Sequence, residues 1–147
     1  MPQGDRPLLN RKLRTEILYY RALLNATKLL LEAMIRDDEI LLARGVMRRE
    51  RAIRKIQRVE GDLSRLLGGT YPHLLSTSGS GDLKEHRHVL SLMLEEQLAL
   101  DKDVEAQIRS KKQSIQDEIL KLRARRIEGQ AGYLRRMSRG VLLDQAS

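Results

Sequence analysis

The stretch GGTYPHLLSTSGSGD, residues 68–82, decides the fold of this 147-residue chain. It is rich in glycine and serine, and it separates two long segments in which apolar residues recur every three or four positions. The composition is typical of a linker, and the spacing on either side is typical of helices. We therefore predict two helical arms that fold back on each other around a flexible linker at 68–82.

The first arm is predicted to hold one helix at about 9–43 and a second at about 46–67. Gly45 interrupts the apolar pattern, and a glycine inside a helix costs about 1 kcal/mol relative to alanine, so we expect a hinge there. Gly68 and Gly69 are expected to end the second helix, because glycine readily adopts the left-handed conformation of a C-terminal cap.

The second arm is predicted to be one helix at about 83–138, opened by Asp82 and Glu85 at capping-box spacing. Folding back places the basic segment 46–68 beside the acidic segment 83–108. The predicted fold class is all-α, an elongated antiparallel helical hairpin or three-helix bundle with long coiled-coil-like helices. We expect a single domain spanning 1–147. The apolar stripe of the second arm consists of Leu90, Leu94, Val104, Ile108, Ile115, Ile119, Leu122 and Tyr133.

Composition excludes several classes of protein. The chain has no cysteine, which excludes disulfides, cysteine–zinc sites and thiol catalysis. No apolar run approaches the roughly 20 residues that span a bilayer, and the N-terminus lacks the apolar block of a signal peptide. We therefore expect a cytoplasmic protein without membrane insertion.

Candidate catalytic or metal-binding residues are few. His86 and His88 are two residues apart on a predicted helix and do not share a face, so these and His73 are expected to be solvated. The acidic residues 37–39 are interpreted as a solvated helix face. The serines of the linker have no paired base and no phosphate-loop pattern. We expect no enzyme, no metal and no cofactor.

The net charge of +8 makes acidic partners candidates. Among acidic partners, nucleic acid is less favoured than protein. A base-stacking surface needs aromatic residues among the positive charges, and the two basic runs of the chain contain none. A nucleic-acid-binding hairpin therefore stays an alternative. The two basic runs are Arg48, Arg49, Arg51, Arg54, Lys55 and Arg58, and Lys121, Arg123, Arg125 and Arg126.

The sequence EGQAGYLRRMSRGVLL, residues 128–143, indicates a docking surface near the end of the second arm. Its small residues let another backbone approach closely, and Tyr133, Leu134 and Met137 offer adaptable apolar area. The alternative is packing of this end against Leu13 and Ile17.

Two stretches carry a resemblance to a known family. The first is LLNATKLLLEAMIRDDEILLARGVMRRERAIRKIQRVEGDL, residues 23–63, with Arg49 and Glu50 as the basic–acidic pair that opens a second helix. The other is LDKDVEAQIRSKKQSIQDEILKLRARRIEGQAGYLRR, residues 100–136, which looks like a long last helix with a late Ala-small-Tyr ending. Together they resemble the FlgN/FliT-type export chaperones of bacterial flagella.

The resemblance implies a cytoplasmic chaperone that binds the terminal amphipathic helix of a late flagellar subunit. The client would be a hook–filament junction protein or the filament cap protein, which the chaperone keeps unassembled and delivers to the type III export gate. Export-gate or export ATPase components are the further partners. Ile115, Ile119 and Leu122 would line the apolar groove, with Tyr133, Leu134 and Met137 near its end. Arg123, Arg125 and Arg126 would steer acidic surfaces toward it.

A structural coiled-coil protein, such as a stalk component of an export apparatus, is the main alternative to the chaperone. It predicts two uninterrupted helices and a turn, which the glycine at 45 and the long linker oppose. A homodimer is left open under either function.

Overall fold

The structure is a computed structural model that describes residues 6–69, 71 and 81–146, with the side chains of all of these except 81–82 and 141–146. Its helices are α1 (Arg6–Arg36), α2 (Glu39–Leu67) and α3 (Gly81–Ala146). These described residues contain no strand, and the predicted all-α fold class is confirmed. Residues 70 and 72–80 of the predicted linker lie outside the described residues.

The chain divides into two compact units, Met1–Gln107 and Ile108–Ser147. The first unit contains α1, α2 and the beginning of α3, and the second contains the remainder of α3. Of the helices in the described residues, none is both long and apolar enough to cross a membrane.

The turn between α1 and α2 lies at Asp37 and Asp38, so the predicted hinge at Gly45 is wrong. Asp37 has a positive φ of 54°, which ends α1, and the carboxylate of Asp38 accepts the N–H of Leu41 at 3.0 Å, which caps α2. Aspartate tolerates the left-handed conformation and is among the best N-cap residues. The first helix therefore ends at 36 rather than 43, and the second begins at 39 rather than 46. The acidic residues 37–39, interpreted above as a solvated helix face, are all exposed, but Asp37 and Asp38 form this turn and only Glu39 is helical.

Gly45 lies buried inside α2, where it permits close approach to α1. A Cβ atom at this position would lie 3.1 Å from both the N and the Cα of Leu30. Backbone atoms in a packed helix cannot move aside as a flexible side chain can. The glycine is therefore explained by helix–helix packing, which outweighs its cost to helix propensity.

Alanine at Gly45 is expected to lower the free energy of unfolding by about 1–3 kcal/mol, since overpacking outweighs the gain in helix propensity. Gly61→Ala is the matched control, because Gly61 lies in the same helix with no heavy atom within 4 Å of its Cβ position. That variant should be about 0.5–1 kcal/mol more stable than the original chain. Urea unfolding followed by circular dichroism measures both, and equal stabilisation by the two alanines would contradict the close approach.

The core of the first unit joins all three helices. Lys12, near the start of α1, pairs with Asp62, near the end of α2, at 2.9 Å, as an antiparallel alignment of the two helices requires. Gln97 of α3 donates to the hydroxyl of Thr27 at 2.9 Å, so α3 also lies on α1. The main core cluster consists of Leu9, Leu13, Val59, Leu63, Tyr71, Leu83 and Leu90.

These contacts make the first unit a three-helix bundle. A contact also joins the basic segment 46–68 to the acidic segment 83–108, which were predicted to lie side by side. Arg49 of the basic segment lies 3.1 Å from Asp101 of the acidic segment. The predicted end of α2 is also confirmed: Gly68 has a left-handed φ of 72° and its N–H bonds to the carbonyl of Ser64.

Candidate functional site

All nine residues predicted to bind a partner lie on α3 within the unit Ile108–Ser147, and all are exposed. The predicted helix at 83–138 is longer in the structure, at Gly81–Ala146, so it includes the whole set. These residues are Ile115, Ile119, Leu122, Arg123, Arg125, Arg126, Tyr133, Leu134 and Met137.

The apolar members form a stripe along the helix, which we call the α3 stripe: Ile115, Ile119, Leu122, Tyr133 and Met137. At 100° per residue these five positions fall within an arc of about 60°. An arc this narrow is typical of a seam that takes one other helix. Leu134 lies on a neighbouring face.

The exposure of the α3 stripe is large for apolar side chains. Ile115 is 56% exposed, Leu122 61% and Tyr133 59%. Single exposed apolar residues are ordinary, but several exposed apolar residues on one face of a helix mark an interaction surface. The stripe therefore offers apolar area that a partner could cover.

A concavity of about 450 Å³ lies at the distal part of the stripe, lined by Arg126, Gly129, Gln130, Tyr133 and Leu134. A Cβ built on Gly129 would meet no heavy atom within 4 Å. The backbone at this point is open to close approach by a partner, as the small residues of the sequence predict.

Basic residues surround the α3 stripe. Residues 108–140 contain ten Lys and Arg against three Asp and Glu, a net charge of +7. Arg123, Arg125 and Arg126 are all exposed, so their guanidinium groups are available to acidic surfaces. The site thus combines apolar area, one phenol and several guanidinium groups, which suits recognition of an acidic amphipathic helix.

A buried polar cluster in the first unit was missed by sequence reasoning. The hydroxyl of Tyr71 donates to Oε1 of Glu16 at 2.6 Å, and Nε2 of His86 lies 2.6 Å from the same oxygen. The three residues are 1%, 0% and 5% exposed, respectively. The prediction of a solvated side chain is therefore wrong for His86, which falls four residues before Leu90 on the buried face of α3.

This cluster connects the segment after α2 to both α1 and α3. Burial, followed by the hydrogen bond to Glu16, raises the pKa of Tyr71 well above its usual range. Burial and the hydrogen bond to Glu60, 2.6 Å away, likewise raise the pKa of Tyr20. Both phenols are therefore neutral donors to carboxylates, and the cluster holds the helices in one register.

Burial and the neighbouring Glu16 raise the pKa of Glu60 by more than the hydrogen bond from Tyr20 lowers it. A carboxyl whose pKa is raised by folding contributes stability below its unfolded pKa, and that contribution is lost as pH rises through the folded pKa. Glu60→Gln keeps an oxygen that can accept the hydrogen bond from Tyr20, and it cannot ionise, so the stability lost at higher pH is retained. We expect a higher urea midpoint than the original chain at pH 7, and no difference below about pH 4. A lower midpoint for the variant at pH 7 would contradict this electrostatic account.

In the described residues, no group of three or more His, Cys, Asp or Glu side chains is placed to hold a metal ion. His73 lies outside the described residues, and His88 is exposed. A scan against protein-family models and searches of the curated proteins and of the solved structures match nothing to this chain.

Proposed function

We propose that the chain is a cytoplasmic flagellar export chaperone. It binds the terminal amphipathic helix of a late flagellar subunit, a hook–filament junction or filament cap protein, along the α3 stripe. The observation that carries the proposal is the exposed α3 stripe on a single helix, in which Ile115, Ile119 and Leu122 are followed, about three turns later, by Tyr133 and Met137. The resemblance of 23–63 and 100–136 to FlgN/FliT-type chaperones supports the client class.

Helix docking on this stripe is favourable for a physical reason. Fully burying a leucine- or isoleucine-sized side chain is worth about 1.5–3 kcal/mol, and the stripe offers five apolar positions. Loss of translational and rotational freedom offsets several kcal/mol of that gain. The balance is a moderate affinity, which suits a chaperone that must release its client at an export gate.

The basic residues beside the stripe support delivery as well as binding. Positive charge accelerates encounter with acidic surfaces more than it adds to final affinity. Arg123, Arg125 and Arg126 would therefore steer acidic regions of the client or of the export-gate and export ATPase components toward α3. This contribution should weaken as ionic strength rises.

A second copy of the chain is the alternative occupant of the α3 stripe. Pairing of two such segments would bring together two helices that each carry a net charge of +7 over 108–140. Like charges across a helix–helix seam are destabilising, so charge favours a different, acidic partner over a homodimer.

The test is complex formation with candidate clients. The purified chain is mixed with hook–filament junction and filament cap subunits from the same genome, each with and without its terminal helix. Size-exclusion chromatography with light scattering should give a stoichiometric complex with one full-length subunit and none with its truncated form. Binding that survives the truncation would refute this mode, and a homodimer that excludes every client would favour the structural coiled-coil alternative.

A further inference from the structure

A second surface lies on the α1–α2 hairpin, within the first unit. It is a groove of about 370 Å³ whose lining comes from α1 and α2 alone. We call it the hairpin groove. Its floor is made of small side chains, so another chain could approach both helices closely. The lining residues are Tyr19, Ala22, Asn25 and Ala26 of α1, and Arg48, Arg51, Ala52 and Lys55 of α2.

One edge of the hairpin groove is basic. Arg44, Arg48, Arg51, Lys55 and Arg58 recur along α2 with spacings of four, three, four and three, which places them on one face of the helix. We call them the basic stripe. Arg49 and Arg54 belong to the same sequence run but not to the basic stripe. Arg49 pairs with Asp101 of α3, and Arg54 pairs with Glu50.

The charge of the basic stripe is uncompensated within the part of the chain that the structure describes. There, the four arginines and Lys55 make no ion pair, and Nζ of Lys55 lies 5.6 Å from the centroid of the Tyr19 ring. Like charges four residues apart on a helix are destabilising. An acidic ligand along this face would relieve that repulsion.

The opposite edge of the hairpin groove is largely apolar. Leu18, Ala22, Asn25 and Leu29 recur on α1 with spacings of four, three and four, and Ala22 and Asn25 line the groove. Leu18 is 58% exposed. The groove therefore presents an apolar edge and a basic edge that run side by side.

We infer that the hairpin groove binds an amphipathic helix of a partner protein. The apolar face of that helix lies on Leu18 and Ala22, and its acidic residues, repeating every three or four positions, face the basic stripe. The stripe covers 15 residues from Arg44 to Arg58, so its ends lie about 21 Å apart at the helical rise, which matches four turns of a partner helix. This surface is separate from the α3 stripe and does not depend on the function proposed for it.

The composition of the groove favours an acidic helix over nucleic acid. Proteins that bind single-stranded nucleic acid stack its bases on accessible aromatic rings that lie among positive charges. The ring of Tyr19 does lie among them, which sequence reasoning could not foresee, but Lys55 sits over it. The apolar edge has no use in phosphate binding, whereas it matches the apolar face of an amphipathic helix.

The test uses the full chain and a labelled 18-residue helical peptide with leucine on one face and glutamate along its border. A scrambled peptide of equal composition and a single-stranded DNA of equal charge serve as competitors. We expect Arg48→Gln/Arg51→Gln to weaken peptide binding about tenfold at low salt, because two exposed ion pairs are lost. Lys84→Gln/Lys102→Gln removes the same charge from exposed positions of α3 and should change binding less than twofold.

Preference for the amphipathic peptide over its scrambled isomer, together with that difference between the double variants, supports the inference. Equal binding of the two peptides, equal loss in the two variants, tighter binding of the DNA, or no peptide binding at low salt overturns it. Ile119→Asp disrupts any binding of the peptide to the α3 stripe, and the loss caused by Arg48→Gln/Arg51→Gln should persist in that background. Failure of the groove is thereby distinguished from failure of the proposed function.

Discussion

Tyr71→Ala is expected to lower the free energy of unfolding by about 3–5 kcal/mol, the usual cost of truncating a fully buried aromatic residue. The ring is 1% exposed in the main core cluster, and its hydroxyl donates to the buried Glu16. Tyr71→Phe isolates the hydroxyl and should cost about 1–3 kcal/mol, because the buried Glu16 then loses the hydrogen bond from the phenol and keeps only His86 beside it. Urea unfolding of both variants, followed by circular dichroism, measures the two effects.

Tyr133→Ala is the matched control, since it makes the same substitution at a ring that is 59% exposed. Its effect on unfolding should stay within about 0.5 kcal/mol, as is usual for surface positions. The same variant should weaken client binding, whereas Tyr71→Phe should leave the α3 stripe intact. A large loss of stability from Tyr133→Ala, or none from Tyr71→Ala, would show that the roles of the two tyrosines are assigned wrongly.

The double variant Ile119→Asp/Leu122→Asp is expected to weaken the client complex by about 100-fold or more. Two apolar contacts worth about 1.5–3 kcal/mol each at full burial are lost, and two carboxylates are buried without partners. Because both side chains are exposed in the free chain, the free energy of unfolding should change little. Isothermal titration calorimetry with the client, alongside urea unfolding, separates binding from stability.

Leu120→Asp/Ile127→Asp is the control for this pair. Both residues are exposed, at 61% and 65%, but on the helical period they lie about 130° and 110°, respectively, from the centre of the α3 stripe. The control introduces the same two charges into the same helix. Equal loss of binding in the two double variants would mean that added negative charge, and not the apolar face, controls recognition.

The ends of helices were predictable where the cap residue acts alone. Gly68 stops α2 through its own left-handed conformation, and the sequence contains that information. Gly45 was misread because its role depends on the backbone of Leu30, which only the folded bundle brings to it. The true turn used Asp37 and Asp38, which carry a capping signal that the strong apolar periodicity on both sides obscured.

Surfaces, like helix ends, were predictable only where neighbouring residues of one helix determine them. The α3 stripe was predictable from the spacing of Ile115, Ile119 and Leu122 within one helix. The cluster of Glu16, Tyr71 and His86 was not, because its members come from three parts of the chain. In the basic run of α2, closeness in sequence concealed the difference between Arg48 and Arg49, which point to different neighbours because adjacent helical residues are 100° apart.

The most direct test of the chaperone account is amide hydrogen exchange of the chain with and without its client. The account predicts slowed exchange within 108–140, centred on Ile119 and extending to Tyr133, because a docked helix shields this segment and suppresses its opening. Exchange in the core of the three-helix bundle should not change. Client binding that leaves exchange across 108–140 unaltered would contradict the account.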